Sequence, residues 1–226
     1  MTAPISVVIP TLNAAPHMQA SLEMLMEGLA AGLIRELIVT DGGSTDYTLL
    51  IAEEAGAEII TGPASRGGQL RRGCRAAKGD WLLILHADTV LEDGWSNVVN
   101  EHIREFSQRP AHFKLAFSTR GLRPAAVAGW ANLRSAVLGL PYGDQGLLVP
   151  AGLYTAKGGY PDQPLMEDVE IARRLPDMRT LPAYALTSAE RYRRDGWLRR
   201  GTRNLWTLMR YAMGADPEKL AAAYRR

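Results

Sequence analysis

The first hundred residues alternate short apolar runs with longer stretches of helical period. Runs over 6–9, 36–39, 57–61 and 80–85 predict strands, and stretches over 45–55 and 67–77 predict helices. Between the first two strands Leu22, Leu25, Met26, Leu29 and Leu33 recur as an apolar helical stripe. Strands alternating with helices are the βαβ pattern, which places the strands parallel in one sheet and the helices on its faces. The runs show little polar alternation, as suits strands buried on both sides.

Farther on, the pattern predicts a helix over 95–106, strands over 113–118 and 147–150, and a short helix over 169–175 closed by Pro176. The segment 120–139 carries Ala, Trp and Leu without clean periodicity and contains Gly121, Pro124 and Gly129, so no element is assigned to it. In the tail, Leu198, Leu205, Leu208 and Ala212 recur at helical spacing with Trp206 and Met209 alongside, while Arg199, Arg203 and Arg210 occupy another face. No internal repeat, low-complexity tract or linker interrupts the chain, which reads as one domain over 1–226.

Two acidic motifs follow predicted strands. Thr40-Asp41-Gly42-Gly43-Ser44-Thr45-Asp46 follows the second, and Leu85-His86-Ala87-Asp88-Thr89 ends the run over 80–85. Open α/β sheets bind ligands outside the carboxyl ends of their strands, where a carboxylate holds a divalent cation or accepts hydrogen bonds from a nucleotide. Gly42-Gly43 allows close approach or positive φ, although an ordinary strand-to-helix turn asks for the same residues. The Gly-x-Gly-x-x-Gly fingerprint is absent after the first strand, which argues against a nicotinamide enzyme. Ser65-Arg66-Gly67-Gly68-Gln69 opens a helix, where backbone amides and the helix dipole favour an anion; a solvated loop arginine is the plain alternative. Glu167-Asp168 precedes the helix over 169–175, either as ordinary first-turn acids or as carboxylates for proton transfer.

Together with the opening Val7-Val8-Ile9-Pro10-Thr11-Leu12-Asn13, and with Gly143-Asp144-Gln145-Gly146 and Met166-Glu167-Asp168-Val169-Glu170 in order behind them, these motifs resemble glycosyltransferase family 2 over nearly the whole chain. Leu-His-Ala-Asp-Thr is similar to the motif of a small bacterial subgroup, the radical-SAM/selenodomain-associated transferase type. The resemblance implies the GT-A fold: α/β, with a mostly parallel central sheet flanked by helices, here with a C-terminal helical extension. It implies a nucleotide-sugar-binding half over 1–100, an acceptor-side half with the catalytic base over 101–189, and a basic amphipathic tail over 190–226. By the same resemblance Pro10, Thr11 and Asp41 hold the nucleoside; the helix start at 65–69, read on its own, sets Arg66 toward the diphosphate and Gln69 toward the donor sugar. Asp88 carries Mn2+ or Mg2+, and His86, in place of the usual first aspartate, either ligates the metal or stands behind it as a structural imidazole. Gly143, Asp144 and Gln145 line the acceptor side, with Tyr142 beside them for stacking on a sugar; Asp168, next to Glu167, is the base. Arg191 or Arg193 folds back onto the diphosphate. The implied reaction is metal-dependent, inverting transfer of a sugar from a UDP- or GDP-linked donor to an acceptor hydroxyl. Two other readings compete. A nucleotidyltransferase acting on a sugar phosphate would carry a glycine- and lysine-containing signature near the first strand, and none is visible; a catalytically silent sugar-nucleotide or lipid-surface binding protein would keep the lone Asp88 and the basic tail.

Composition narrows the setting. With 226 residues, 46% of them hydrophobic, the chain can bury a full core. A single cysteine, Cys74, excludes an intrachain disulfide and fits a reducing compartment. The first residues carry no export-signal pattern, and no apolar stretch approaches the ~20 residues of a membrane span, so a cytoplasmic location is expected, with any membrane contact peripheral, at the inner face. A net charge of +2 is too small to point to nucleic acid. Its distribution is uneven: from Glu190 onward ten basic residues face four acidic ones, giving +6 and leaving −4 for the preceding chain. Such a tail suits packing on its own domain, a homodimer interface or an anionic lipid surface.

Overall fold

The computed structural model describes residues 2–224, the Arg191 side chain excepted. In chain order its elements are β1 (Ile5–Thr11), α1 (Ala15–Ala30), β2 (Ile34–Asp41), α2 (Thr48–Glu54), β3 (Glu58–Thr61), α3 (Arg66–Ala76), β4 (Trp81–Ile84), β5 (Thr89–Leu91), α4 (Trp95–Glu105), β6 (Ala111–Phe117) and α5 (Leu122–Leu138). A 3₁₀ turn, Gly143–Gln145, leads into β7 (Leu147–Pro150), followed by α6 (Ala151–Ala156), α7 (Glu167–Arg174), β8 (Arg179–Thr187), α8 (Glu190–Asp195), α9 (Trp197–Ala212) and α10 (Pro217–Tyr224).

The strands form one sheet in the order β3-β2-β1-β4-β7-β6-β8-β5. β3, β2, β1 and β4 run parallel, joined through α1, α2 and α3. β7 reverses direction between β4 and β6, β6 and β8 are mutually parallel, and β5 closes the edge antiparallel to β8. The sheet is therefore mixed and mostly parallel, as the motif order implied. Alternate residues feed two cores: Val7, Ile9, Leu83 and Leu85 pack on one face with Trp95 and Phe113, while Val8, Leu82 and Ile84 pack on the other with Leu70 and Ile171.

Close packing fixes the helices. A Cβ on Gly28 of α1 would lie 2.5 Å from Trp95 Cη2, and one on Gly73 of α3 would lie 2.5 Å from Val8 Cγ1. This corrects the stripe read in α1. The helix buries Met18, Ser21, Leu25 and Gly28, and Met26 and Leu29 stand in solvent, because the glycine face is the one that fits Trp95. The second helix starts at Thr48, later than its pattern suggested. Asp46 sits ahead of it, accepting from Thr48 N and Oγ1 through one oxygen and from Ala15 N through the other, so it ties α2 to α1.

The unassigned segment 120–139 is α5. Its inner face, Pro124, Ala128, Ala131, Arg134 and Ser135, is buried, but its outer face is apolar too, which flattens the period that would have marked it. β5 and β8 were not anticipated either. β5 has only three residues, and β8 buries Leu181, Ala183, Ala185 and Thr187 in strict alternation with Pro182, Tyr184 and Leu186, which are as apolar as the buried set.

Candidate active site

The carboxyl ends of β1, β2 and β4 open on the same edge. Thr11 pairs with Asp41 in register, and β4 runs directly into Leu85-His86-Ala87-Asp88. With β2 on one side of β1 and β4 on the other, this is a topological switch point. A cavity of about 370 Å³ lies there, lined by Pro10, Thr11, Asn13, His17, Arg66, Gln69, His86 and Asp88, with Pro164 and Tyr224 closing it from later parts of the chain.

Asp41 builds this cavity from behind and does not line it. It is fully buried and accepts from Thr11 Oγ1 at 2.9 Å, from the amides of Gly43 and Ser44 at 2.7 Å each, and from Ser44 Oγ. Burial pushes its carboxyl up, but the hydrogen bonds from Ser44, Gly43 and Thr11 together prevail and hold it below the usual range. Gly43 takes φ +99°, the conformation that aims these amides at one carboxylate. Gln69 is likewise internal: its Nε2 donates to Thr11 O at 2.7 Å and Thr40 O at 2.8 Å, clamping the ends of β1 and β2.

The start of α3 departs from the anion-site reading. Ser65 Oγ caps Gly68 N, the Gly67 amide donates to Gln163 O, and Gln69 N donates to Ser65 O. A Cβ on Gly67 or Gly68 would collide with Pro161 O or the Asp162 carboxylate, so the two glycines admit the loop 161–163, which takes the Gly67 amide, while the next two amides are spent on Ser65. The Arg66 side chain is what remains for an anion. It faces the cavity with Glu167 Oε1 at 3.6 Å from its Nε, and Glu167 foremost, then Asp168 and Asp88, stabilises its charge.

A second cavity, about 120 Å³, shares Arg66, His86 and Asp88 with the first and adds Tyr142, Asp144, Asp168, Tyr192, Arg200 and Asn204. Strand register explains the juxtaposition. Antiparallel pairing of Ile84 with Leu147 sets the Gly143–Gln145 turn beside the end of β4, and pairing of Thr89 with Thr187 sets the residues after β8 beside Asp88. A Cβ on Gly143 would collide with His86 Nε2, so glycine there lets the imidazole seat under the turn. The Gly143 amide donates to Asp168 Oδ2 at 2.8 Å, and Val169 N to Asp168 Oδ1 at 2.8 Å. Asp168 is thus fixed in the first turn of α7, after Met166 at φ +64°, a left-handed conformation costly for a non-glycine residue and one that recurs at functional sites.

Its neighbours are less well satisfied. Glu167 is 1% exposed with no hydrogen-bond partner on either carboxylate oxygen, and burial pushes its carboxyl up against the opposing pull of Arg66. Asp144 Oδ1 is buried without a partner, and burial, opposed by Arg134 and reinforced by Asp168 and Asp88, pushes the carboxyl up to about 6. Gln145 does not reach the cavity. It is fully buried, its Oε1 accepts from Ser135 Oγ at 2.6 Å and its Nε2 donates to Phe113 O at 3.1 Å, so it supports the turn from beneath. Arg134 completes that support, donating to Leu140 O and lying 3.4 Å over the Tyr142 ring.

The structure therefore brings Pro10, Thr11, Arg66, His86, Asp88, Gly143, Asp144 and Asp168 around two adjoining cavities, sets Glu167 behind them against Arg66, leaves Asp41 and Gln145 as supports, and ties Gln69 at the first cavity's wall to the strand ends. Of the two arginines suggested to fold back, Arg193 donates to Thr119 Oγ1, and the Arg191 side chain lies outside the described residues. Arg200, Asn204 and Tyr224 were missed. Arg200 and Asn204 lie on the polar side of α9, and Tyr224 joins them by hydrogen bonds to both, a polar side facing inward that the tail's periodicity carried all along.

Among the described residues no group of three or more His, Cys, Asp and Glu side chains forms a self-sufficient metal site. Asp88 with His86 offers at most a carboxylate and an imidazole, a set that suits a divalent cation completing its shell with substrate phosphate oxygens and water.

The sheet order, the switch-point cavity and the adjoining acid-lined cavity define an α/β protein of the GT-A glycosyltransferase fold. TarS of S. aureus superposes with a TM-score of 0.61 at 16% identity, over 91% of this chain and 64% of that one. Glucosyl-3-phosphoglycerate synthase of Mycobacterium tuberculosis, solved with Mn2+, UDP and glucosyl-3-phosphoglycerate, superposes at 0.53 with 24% identity over 79% of this chain and 70% of its own. Residues 6–114 match the Glycosyl transferase family 2 model. The PGL/p-HBAD biosynthesis glycosyltransferase of Mycobacterium bovis is 37% identical over 99 residues, which take in 40% of this chain and 38% of that protein. The segment that the family model matches ends at residue 114, before Tyr142, the first residue that the second cavity adds.

Proposed function

We propose that this protein is a metal-dependent, inverting glycosyltransferase that moves a sugar from a nucleoside diphosphate donor to an acceptor hydroxyl. The observation that carries the reading is Asp168, a carboxylate oriented by two backbone amides in a cavity that shares Arg66, His86 and Asp88 with the larger one at the strand ends. The larger cavity takes the donor. Pro10 and Thr11 border the nucleoside, and Asp41, through its bond to Thr11 and its hold on residues 43–44, keeps that wall in place.

Asp88, with His86, is the proposed holder of Mn2+ or Mg2+, which when bound stabilises the charge of the leaving diphosphate. Arg66 adds a fixed positive charge on the same side, kept in place by Glu167. The acceptor enters the second cavity, with Asp144 and the Gly143 turn on one wall and Asn204 on the other. Asp168 takes the proton of the acceptor hydroxyl as its oxygen bonds to the anomeric carbon. The bond from that carbon to the diphosphate oxygen breaks, and the nucleoside diphosphate leaves with the electron pair.

UDP is the first donor base to try, because both TarS and glucosyl-3-phosphoglycerate synthase have been solved with it. The test is donor turnover by Asp168→Asn, followed as nucleoside diphosphate release with the fold checked by circular dichroism. Loss of about 10²- to 10⁴-fold is expected for a removed general base. Near-normal turnover would sink the assignment, and the anomeric configuration of the product tests inversion directly.

A further inference from the structure

α5 and α9 pack against each other, and each turns an apolar face to solvent. On α5, Leu122 is 91% exposed, and Trp130, Leu133 and Val137 follow on the same face at helical spacing, each more than half exposed. On α9, Leu198 is 83% exposed, with Leu205, Trp206 and Met209 on the stripe it begins. The amphipathic sense of α9 is thus reversed: Arg200, Asn204 and Thr207 face the protein. A patch of this extent on two adjacent helices is more than the scattered apolar residues of an ordinary surface.

Charge identifies what covers it. Neither α5 nor α9 contains an aspartate or glutamate, while Arg123 on α5 and Arg199 and Arg210 on α9 edge the two faces; Arg203 turns inward over the Tyr224 ring. The ion pairs of Arg194 and Arg200 with Asp195 leave Arg199 and Arg210 out. A second copy of the chain seated on this face would set arginine against arginine. An anionic bilayer meets both demands, taking the Leu and Trp side chains at the acyl boundary and the guanidinium groups at the headgroups. We infer that the α5–α9 face docks on an anionic lipid surface. The polar side of α9 lines the second cavity with Arg200 and Asn204, so docking puts that cavity about one helix diameter, ~10 Å, from the lipid.

The test is sedimentation of the full chain with vesicles of phosphatidylcholine, alone or mixed with phosphatidylglycerol, and it needs no turnover, so it stands or falls apart from the transferase reading. Wild type is expected to sediment with the anionic vesicles and release in high salt. Trp130→Ser with Trp206→Ser, and separately Arg199→Glu with Arg210→Glu, should each weaken binding by about tenfold or more. All four positions are on the surface of α5 or α9, so both variants should keep the wild-type melting temperature. Absence of vesicle binding, binding that both variants retain, or a lipid-independent dimer that Trp206→Ser dissociates in ultracentrifugation would each overturn the inference.

Discussion

Asp41 and Asp168 are both carboxylates at the edge of a sheet, yet their hydrogen bonds set them different tasks. Asp41 accepts from four donors and has nothing left to offer a ligand, so it is a keystone for the turn after β2. Asp168 accepts two backbone amides and still lines a cavity, which leaves it lone pairs for an acceptor proton. Asp144 is the third case, a carboxyl whose ordinary value of 3.8 is pushed up to about 6, first by burial. Between those two values the folded chain holds more proton than the unfolded chain, so this group's contribution falls as pH rises through them and stays unfavourable above. Asp144→Asn removes the charge that burial penalises. In chelator-treated protein it is expected to stabilise the fold near pH 8 by on the order of 1–3 kcal/mol, with the gain vanishing near pH 4. Urea melts at the two pH values check this, and an equal offset at both would contradict it.

Elements were legible where one face dominates and obscure where both or neither do. The parallel strands and the helices between them follow from plain apolar runs and helical period. α5 escaped because it is apolar outside as well as inside, and β8 because its inner face mixes Leu181 and Thr187 with two alanines while its outer face carries Pro182, Tyr184 and Leu186. The candidate site divides the same way. The order of acidic motifs located Asp88, Glu167 and Asp168, but which carboxylate faces a cavity depends on where neighbouring amides point, and sequence spacing does not carry that. The glycines of α3 show the same limit, since their need for space comes from the loop 161–163, nearly a hundred residues away in sequence. Gly28 offers a direct check on such packing. In an open helix Gly→Ala gains up to ~1 kcal/mol of helix propensity, whereas here the new methyl meets Trp95 Cη2 at 2.5 Å and forces overpacking worth ~1–3 kcal/mol. Gly28→Ala is therefore expected to lower the melting temperature; a rise would show that α1 and α4 are not packed as described.

Across the molecule, the two halves of the sheet meet at the two cavities and the tail completes both. The parallel half, which carries the family match, presents the switch-point cavity. The antiparallel strand β7 and the parallel pair β6–β8 bring the Gly143 turn and the residues after Thr187 to its border. α9 supplies Arg200 and Asn204 to the second cavity, and α10 supplies Tyr224 to the first, so the tail is a wall of the site as well as a basic surface. The proposed function puts a nucleoside diphosphate in the cavity at the strand ends, with its metal on Asp88. Calorimetric titration of UDP and GDP, each with and without Mn2+, on wild type, Asp88→Ala and Asp168→Asn, tests it most directly. Metal-dependent binding of one nucleotide is expected, lost in Asp88→Ala and kept in Asp168→Asn; no binding of either nucleotide by folded wild type, or binding indifferent to both Mn2+ and Asp88, would overturn the proposed donor site.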